Sequence, residues 1–234
     1  TFGTKGAAQG VRINAAHIDS PRLDLKPSPL YEKSDLALFK THYYGGIRKY
    51  QWTATPLALH GVVMKRGGGT AEICIGEDPA DPVFCVSDLL PHLAAEQNKR
   101  TLAEGIKGEE LNVIVGSLPF ADDEKLKEPV KLMVLKLLYE KYGITEKDFI
   151  RAEIEMVPAV KARDVGLDRS MVGAYGQDDR VCAYTALMAE LEGSATARSD
   201  ALRQAAMEYI DDALRRAEES AGTALNEIHS SPAR

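Results

Sequence analysis

The sequence has few cysteines, no long apolar run and no excess of positive charge. Its three cysteines, Cys74, Cys85 and Cys182, are an odd number and include no Cys-x-x-Cys pair. This pattern favours free thiols, buried as small apolar side chains, in a reducing cytoplasm. Because no run of about eighteen apolar residues occurs, we predict no membrane-spanning helix. No signal-peptide pattern stands at the N-terminus, so we predict a cytoplasmic location.

The net charge argues against a nucleic-acid partner. The formal charge is −6 at pH 7, whereas a surface that follows phosphates needs an excess of lysine and arginine. The hydrophobic fraction of 44% and the charged fraction of 27% are those of a soluble globular protein. The first residue is threonine, and the first motif follows closely, which suggests a fragment, a processed chain or an engineered chain.

Short β-branched and aromatic runs predict a strand-rich region after Pro29, because Gly45-Gly46 and Gly67-Gly68-Gly69 separate them as turns. A short buried strand is also predicted at 10–16, before Pro21. The other predicted strands lie in the segments LALFKTHYYGG, YQWTATPLALHGVVMKR, GTAEICIGE, ELNVIVGSL and FIRAEIEMVPAV.

Helical spacing and capping signals predict three helices and a helical tail. Ser87 or Asp88 is a plausible cap for the segment SDLLPHLAAEQNKRTLAEG, and Gly143 closes EPVKLMVLKLLYEKYG. A third helix, DDRVCAYTALMAELE, begins with acidic residues, as the helix dipole favours. Residues 193–234 are predicted to form a linker and an amphipathic helical tail. The fold class is therefore α/β, with α/β elements at both ends of 1–192, a β-rich insert between them and a helical appendage.

His17 and Asp19 follow the predicted strand at 10–16. On a strand, residues i and i+2 point to the same side, so the imidazole would have a carboxylate on its own face. A metal-bound histidine is held best when its second nitrogen donates to such a carboxylate. The alternative is a surface histidine beside an aspartate at a turn, which is the commoner reason for a bare His-x-Asp.

Asp178 and Asp179 open the third predicted helix, after the loop GAYGQ. Two functions are open for this pair. The carboxylates could simply complement the helix dipole, or one of them could bridge two cations in a hydrolytic site. His92, in the apolar segment LLPHLA, is by default a histidine of the core.

Taken together, these motifs resemble the aspartyl aminopeptidase/aminopeptidase I family of zinc metallopeptidases, in its clostridial-type bacterial branch. The resemblance runs in family order over residues 10–191. It is carried by AAHIDSPRLDLKPSPLYE, ALFKTHYYGGIRKYQW, PLALHGVV, IGEDPADPVF, DLLPHLAAEQ, LKLLYEKYGI and KARDVGLDRSMVGAYGQDDRVCAYTALMA.

The resemblance implies an aminopeptidase that removes N-terminal residues from peptides through a two-zinc site, in which cobalt or manganese can replace zinc. By position in the family motifs, His17 and Asp178 would be metal ligands. Asp19 would orient His17, and Asp179 stands where relatives often have asparagine. His92 would contact the substrate in the active site of a neighbouring subunit.

The resemblance also implies a domain organisation and an assembly. Residues 1–29 and 155–192 would be parts of the metallopeptidase domain, and 30–154 a β-rich dimerisation domain inserted between them. The family assembles through such domains into dimers and tetrahedral dodecamers. Residues 193–234 are unlike the family, which would make the chain a truncated member.

Part of the expected ligand set is missing from the sequence. In the family, a strand ending in Glu-Glu, followed by Ile-Gly-Ser, supplies the general base and a further ligand. The tail contains only Glu218-Glu219, inside a helical pattern that indicates a solvated face. Two functions therefore compete: a zinc aminopeptidase with an incomplete site, or a non-catalytic oligomerisation module derived from one.

Overall fold

The computed structural model describes residues 6–121 and 126–193, together with Gln204 and Glu208. The chain divides into two compact units. One consists of Asp19–Gln177, and the other joins Thr1–Ile18 to Asp178–Arg234.

A six-stranded antiparallel sheet forms the centre of the unit Asp19–Gln177. Its strand order is β4-β3-β6-β1-β2-β5. Its strands are β1 (Arg22–Lys33), β2 (Leu36–Tyr44), β3 (Leu57–Met64), β4 (Thr70–Ile75), β5 (Val113–Gly116) and β6 (Ala152–Pro158). A separate hairpin, not predicted from the sequence, pairs β7 (Arg163–Val165) with β8 (Met171–Gly173).

In the ranges 6–121 and 126–193, two α-helices accompany the strands, α1 (Pro129–Tyr142) and α2 (Gln177–Gly193). Both were predicted, as was the end of α1 at Gly143, whose φ of 66° lies in the left-handed region that glycine adopts without a Cβ clash. Five 3₁₀ helices complete the described elements: Ala7–Gln9, Lys49–Trp52, Gln97–Lys99, Gly108–Glu110 and Glu146–Arg151. In the part of the chain that the structure describes, no helix is long and apolar enough to cross a membrane.

The core lies between one face of the sheet and α1. Alternate residues of the central strands are buried there, because successive side chains of a strand point to opposite faces; examples are Leu23, Phe39 and Met156. The helix contributes Val130, Val134 and Leu138, a spacing that places them on one helical face. These positions agree with the predicted strands β2 to β6 and with the predicted helix.

The N-terminus of α1 is held by a carboxylate from the sheet. Glu32, on β1, accepts hydrogen bonds from the backbone N–H groups of Val130 and Lys131, both at 2.9 Å. The first N–H groups of a helix have no hydrogen-bond partner within the helix. A negative charge near them also interacts favourably with the helix dipole. One side chain therefore fixes the position of α1 relative to β1.

Strand β1 passes through Pro27 and Pro29, where the sequence suggested that the strand-rich region had yet to begin. The pairing of β1 with β2 shifts between Leu25 and Leu30, and such an irregularity accommodates prolines, which cannot donate to the ladder. The predicted domain boundary at residue 29/30 consequently falls inside β1, and the one at 154/155 falls inside β6. The assignment of these parts to two domains stays a prediction.

The strand predicted at 10–16 is wrong. The backbone from Gly10 to Pro21 has no regular secondary structure, and Val11 and Ile13 are 73% and 79% exposed. A strand requires a neighbour to take its backbone hydrogen bonds. None of the described segments pairs with 10–16.

The helix predicted from Ser87 or Asp88 onward is also wrong. Turns and the short 3₁₀ helix Gln97–Lys99 occupy this segment, and Leu90 and Leu93 are 65% and 69% exposed. Most of the stability of a helix in a protein comes from packing of its apolar face, and these leucines are mostly exposed. His92 is exposed as well, so its default assignment to the core was wrong.

The cysteines differ from the expectation of buried thiols. Cys74 is exposed on the edge strand β4, while Cys85 and Cys182 are partly buried; all three are free. The predicted tail 193–234 lies outside the described residues except for its first backbone position, Gln204 and Glu208. These two side chains are joined by a 2.9 Å hydrogen bond at helical spacing.

The buried carboxylate of Asp148 connects two loops of the sheet unit. One of its oxygens accepts the backbone N–H of Arg66, at 2.8 Å, in the turn between β3 and β4. The other accepts the N–H and the hydroxyl of Thr145, at 2.8 and 2.7 Å. These hydrogen bonds, that of the Thr145 hydroxyl foremost, hold the pKa of Asp148 below its ordinary value, while burial acts in the opposite direction.

Asp148→Asn is expected to lower the free energy of unfolding by about 2–3 kcal/mol at neutral pH, because an amide cannot accept all three hydrogen bonds. A depressed pKa means that the carboxylate stabilises the fold fully above its unfolded pKa of about 3.9. This contribution is lost as the pH falls through the lower folded pKa. The difference between wild type and variant in urea unfolding should therefore shrink below about pH 4.

Asp168→Asn is the matched control, since Asp168 is an exposed aspartate whose hydrogen bonds run to Ser170 in its own loop. We expect little change in the free energy of unfolding for this variant. If the difference in free energy of unfolding between wild type and Asp148→Asn did not decrease below about pH 4, the role assigned to Asp148 would be contradicted.

Candidate metal centre

The candidate centre begins with His17, in the irregular segment that precedes β1. This histidine lies in the compact unit that joins the N-terminal segment to α2. Its side chain is 59% exposed. A second contact within the same unit ties the segment to the helix, because the side-chain amide of Asn14 donates to Glu190 at 2.9 Å.

The two aspartates that open α2 have different surroundings. The backbone of Asp178 is extended, with φ −89° and ψ 109°, and its side chain is exposed. The peptide bond between Asp178 and Asp179 is cis. The side chain of Asp179 is only 5% exposed. The two aspartates are adjacent in the sequence, but the side chain of Asp178 is exposed and that of Asp179 is buried.

The buried carboxylate meets the histidine. His17 Nδ1 lies 2.9 Å from Asp179 Oδ2, within the distance of an ion pair. The His-x-Asp motif and the Asp-Asp motif, far apart in the sequence, are therefore brought together. The family resemblance assigns Asp178 of this pair to the metal, and no signal in the sequence predicts the contact of Asp179 with His17.

The other predicted site residues are all exposed. Asp19 is exposed and is the first residue of the sheet unit. His92 is exposed in the irregular segment after the β-bridge at Val86. The roles predicted for Asp19, Asp178 and His92 stay predictions.

The donor set at His17 and Asp179 fits zinc. Zinc in proteins is bound by histidine nitrogens and carboxylate oxygens, and a histidine ligand usually donates its second N–H to a carboxylate or a carbonyl. The imidazole nitrogen and the buried carboxylate oxygen, 2.9 Å apart, are donor atoms of these types.

Comparison with known proteins decides the family. The family model described as aminopeptidase I zinc metalloprotease (M18) matches residues 2–211. The chain belongs to the M18 family. This finding confirms the resemblance drawn from the motifs, and the match extends beyond residue 191, where that resemblance ended.

Curated and solved M18 relatives agree with this membership. A probable M18 family aminopeptidase 1 of Clostridium acetobutylicum is 58% identical over 191 residues, covering 82% of this chain and 41% of the relative. Its counterpart from Thermotoga maritima is 57% identical over 186 residues, covering 80% and 40%.

The crystal structure of aminopeptidase I from Clostridium acetobutylicum matches with a TM-score of 0.72 and 54% identity, over 79% of this chain and 40% of that chain. The M18 aminopeptidase structure from Thermotoga maritima matches with a TM-score of 0.70 and 59% identity, over 74% and 38%. The chain thus spans about two fifths of the length of the M18 relatives it matches.

Proposed function

We propose that this chain carries part of the active site of a zinc aminopeptidase that removes N-terminal residues from peptides. The contact between His17 and Asp179 is the observation that carries the proposal. It joins two motifs that the family resemblance assigns to one metal site. Membership of a zinc metalloprotease family supports zinc as the metal.

His17 and Asp178 are the proposed ligands in this chain. The exposed carboxylate of Asp178 leaves its oxygens accessible for a cation, and the family motif gives it the bridging position between two zinc ions. Asp19 is proposed to orient His17. His92, also exposed, is proposed to contact the substrate of a neighbouring subunit in a dimer or dodecamer.

The chemistry that zinc supplies in such a site is acidification of a water and polarisation of the peptide carbonyl. The chain's own residues hold the metal and orient its imidazole ligand. The glutamate that takes a proton from the water in this family is not among the residues we assign. We therefore propose an incomplete two-zinc site in this chain.

Zinc titration of the whole chain by calorimetry tests the proposal. We expect saturable binding with fewer than two ions per chain, because the assigned ligands are too few for a pair. His42→Ala serves as the control, since His42 lies on β2, with its ring stacked on Tyr43. Wild-type protein without saturable zinc binding would contradict the proposal.

Hydrolysis of aminoacyl-nitroanilides, with added zinc or cobalt, separates this function from the second candidate. That candidate is a non-catalytic oligomerisation module, favoured by the exposed leucines Leu89, Leu90 and Leu93 in a unit that has its own core. Stable assembly in light scattering, without turnover, would favour the module. Turnover comparable to that of a full-length relative would exclude it.

A further inference from the structure

A small cleft lies within the unit Asp19–Gln177, formed mainly by the segments 87–89 and 97–110. Its volume is about 250 Å³, less than the roughly 300–1,000 Å³ of sites for drug-sized ligands, so it suits a molecule the size of one amino acid. Its lining includes Asp88, Leu89, Gln97, Arg100, Ile106 and Glu110. We propose that this cleft, which we call the Asp88 cleft, binds a primary ammonium group next to a small apolar side chain.

Hydrogen bonds between the lining segments form the Asp88 cleft before any ligand arrives. One oxygen of Asp88, Oδ1, accepts the backbone N–H of Leu89 at 2.8 Å and the side-chain amide of Gln97 at 3.1 Å. Arg100 Nη1 donates to the carbonyl oxygen of Gly105 and to both carboxylate oxygens of Glu110, each at 3.2 Å. A site that is already ordered loses less conformational entropy on binding.

The charges of the Asp88 cleft favour a cation. Two carboxylates line it against one guanidinium, and that guanidinium is already paired with Glu110. The backbone N–H of Lys107, and then the side chain of Arg100, hold the pKa of Glu110 below its ordinary value, while burial acts in the opposite direction. An anionic ligand would therefore compete with an ionised Glu110 for Arg100. Asp88 forms no ion pair with any residue that the structure describes, so its charge is available to a cation.

The polar atoms around Asp88 are acceptors, as an ammonium group with three donors requires. The second oxygen of Asp88, Oδ2, accepts no hydrogen bond from the described residues. Because the amide nitrogen of Gln97 donates to Asp88, its amide oxygen is left as an acceptor. Leu89 and Ile106, 54% and 7% exposed, supply apolar surface in the same cleft. Together these groups match an ammonium that is attached to an apolar side chain.

Free amino acids and the N-termini of peptides both carry this chemistry. They are the products and the substrates of the proposed aminopeptidase, and only this connection rests on the proposed function. The Asp88 cleft itself needs no metal, since its groups are carboxylate, amide and apolar side chains of the sheet unit. Absence of zinc binding would thus overturn the proposed function and leave the cleft to its own test.

Titration of the whole chain with leucinamide, in the presence of a chelator and followed by ¹H–¹⁵N chemical shifts, tests the proposal. We expect saturable shifts of the backbone N–H signals of Leu89 and Gln97, with a Kd on the order of 1 mM, as for a small ligand with few contacts. N-acetylleucinamide keeps the side chain but lacks the ammonium, so it should bind at least about tenfold more weakly. Equal binding of the two compounds, or shifts only outside the cleft, would overturn the proposal.

Asp88→Asn removes the negative charge and keeps the shape of the side chain. Its affinity for leucinamide should fall about tenfold or more, because hydrogen bonds to a charged acceptor are about twice as strong as those to a neutral one. Asp78→Asn is the matched control, since Asp78 is an exposed aspartate that accepts the N–H of Ala80 in its own loop at 2.8 Å. Wild-type affinity in Asp88→Asn would contradict the proposal. If this variant does not fold, the comparison of the two compounds on the wild type still decides.

Leucine and leucylglycinamide, titrated in the same way, separate the two sources of the ammonium group. Tighter binding of leucine would identify free amino acids as the ligands of the Asp88 cleft. Tighter binding of leucylglycinamide would identify the N-termini of peptides. Saturable binding of neither compound would overturn the proposal.

Discussion

Replacing His17 with alanine is expected to weaken zinc binding by more than about 100-fold. Loss of a partner that merely orients a ligand costs about 10–100-fold, and His17→Ala removes the proposed ligand itself. The remaining proposed ligand, Asp178, is a carboxylate, a donor that suits magnesium or calcium better than zinc. Calorimetric titration of both proteins with zinc measures this difference directly.

The effect of zinc on thermal stability tests the same prediction. A ligand that binds only the folded state at about 100 times its Kd stabilises it by about 2.7 kcal/mol. Zinc should therefore raise the thermal midpoint of the wild type and leave that of His17→Ala almost unchanged. His42→Ala should behave as the wild type in both measurements. Equal zinc affinity in His17→Ala and wild type would show that the histidine is not a ligand.

Gly61→Ala is expected to lower the free energy of unfolding by about 3 kcal/mol or more, at the upper end of the usual cost of overpacking. Gly61 lies on β3, opposite Ile154 of β6. A Cβ at this position would collide with the carbonyl oxygen of Glu153 and lie 2.7 Å from the Cα of Ile154. Both obstacles are backbone atoms of a central strand, so they cannot move aside without disturbing the sheet.

The backbone conformation adds to this cost, because the φ of Gly61 is +155°, which side-chain-bearing residues rarely adopt. Gly67→Ala is the matched control, since a Cβ there meets nothing within 4 Å. Its effect should stay within about 0.5 kcal/mol, as for most surface substitutions. Urea unfolding of the two variants checks the prediction, and equal stabilities would show that the β3–β6 pairing is looser than the structure indicates.

Sequence patterns predicted secondary structure correctly where other segments of the chain pair with the element or pack against it. Strands β2 to β6 follow runs of β-branched and aromatic residues, and α1 follows helical spacing closed by Gly143. Each of these elements buries its apolar face within the unit Asp19–Gln177 or pairs within its sheet. Propensity and packing agree there, so the patterns predicted the structure.

The same signals failed where no described neighbour covers the apolar residues. The run at 10–16 has the composition of a buried strand, yet Val11 and Ile13 are exposed. The segment at Leu89, Leu90 and Leu93 has apolar residues suited to a helix, yet it forms turns with these side chains exposed. Apolar patterns indicate a tendency to be buried, and secondary structure follows only where a partner surface is present.

The sequence by itself predicted the family, strands β2 to β6, helices α1 and α2, and the two motifs of the proposed metal site. These features depend on residue types and on short-range spacing. Only the tertiary structure decided that Asp179 contacts His17 while Asp178 is exposed. The physical reason is that two adjacent aspartates are the same residue type, so the sequence does not distinguish them. The backbone conformation at the start of α2 directs one carboxylate inward and the other toward solvent.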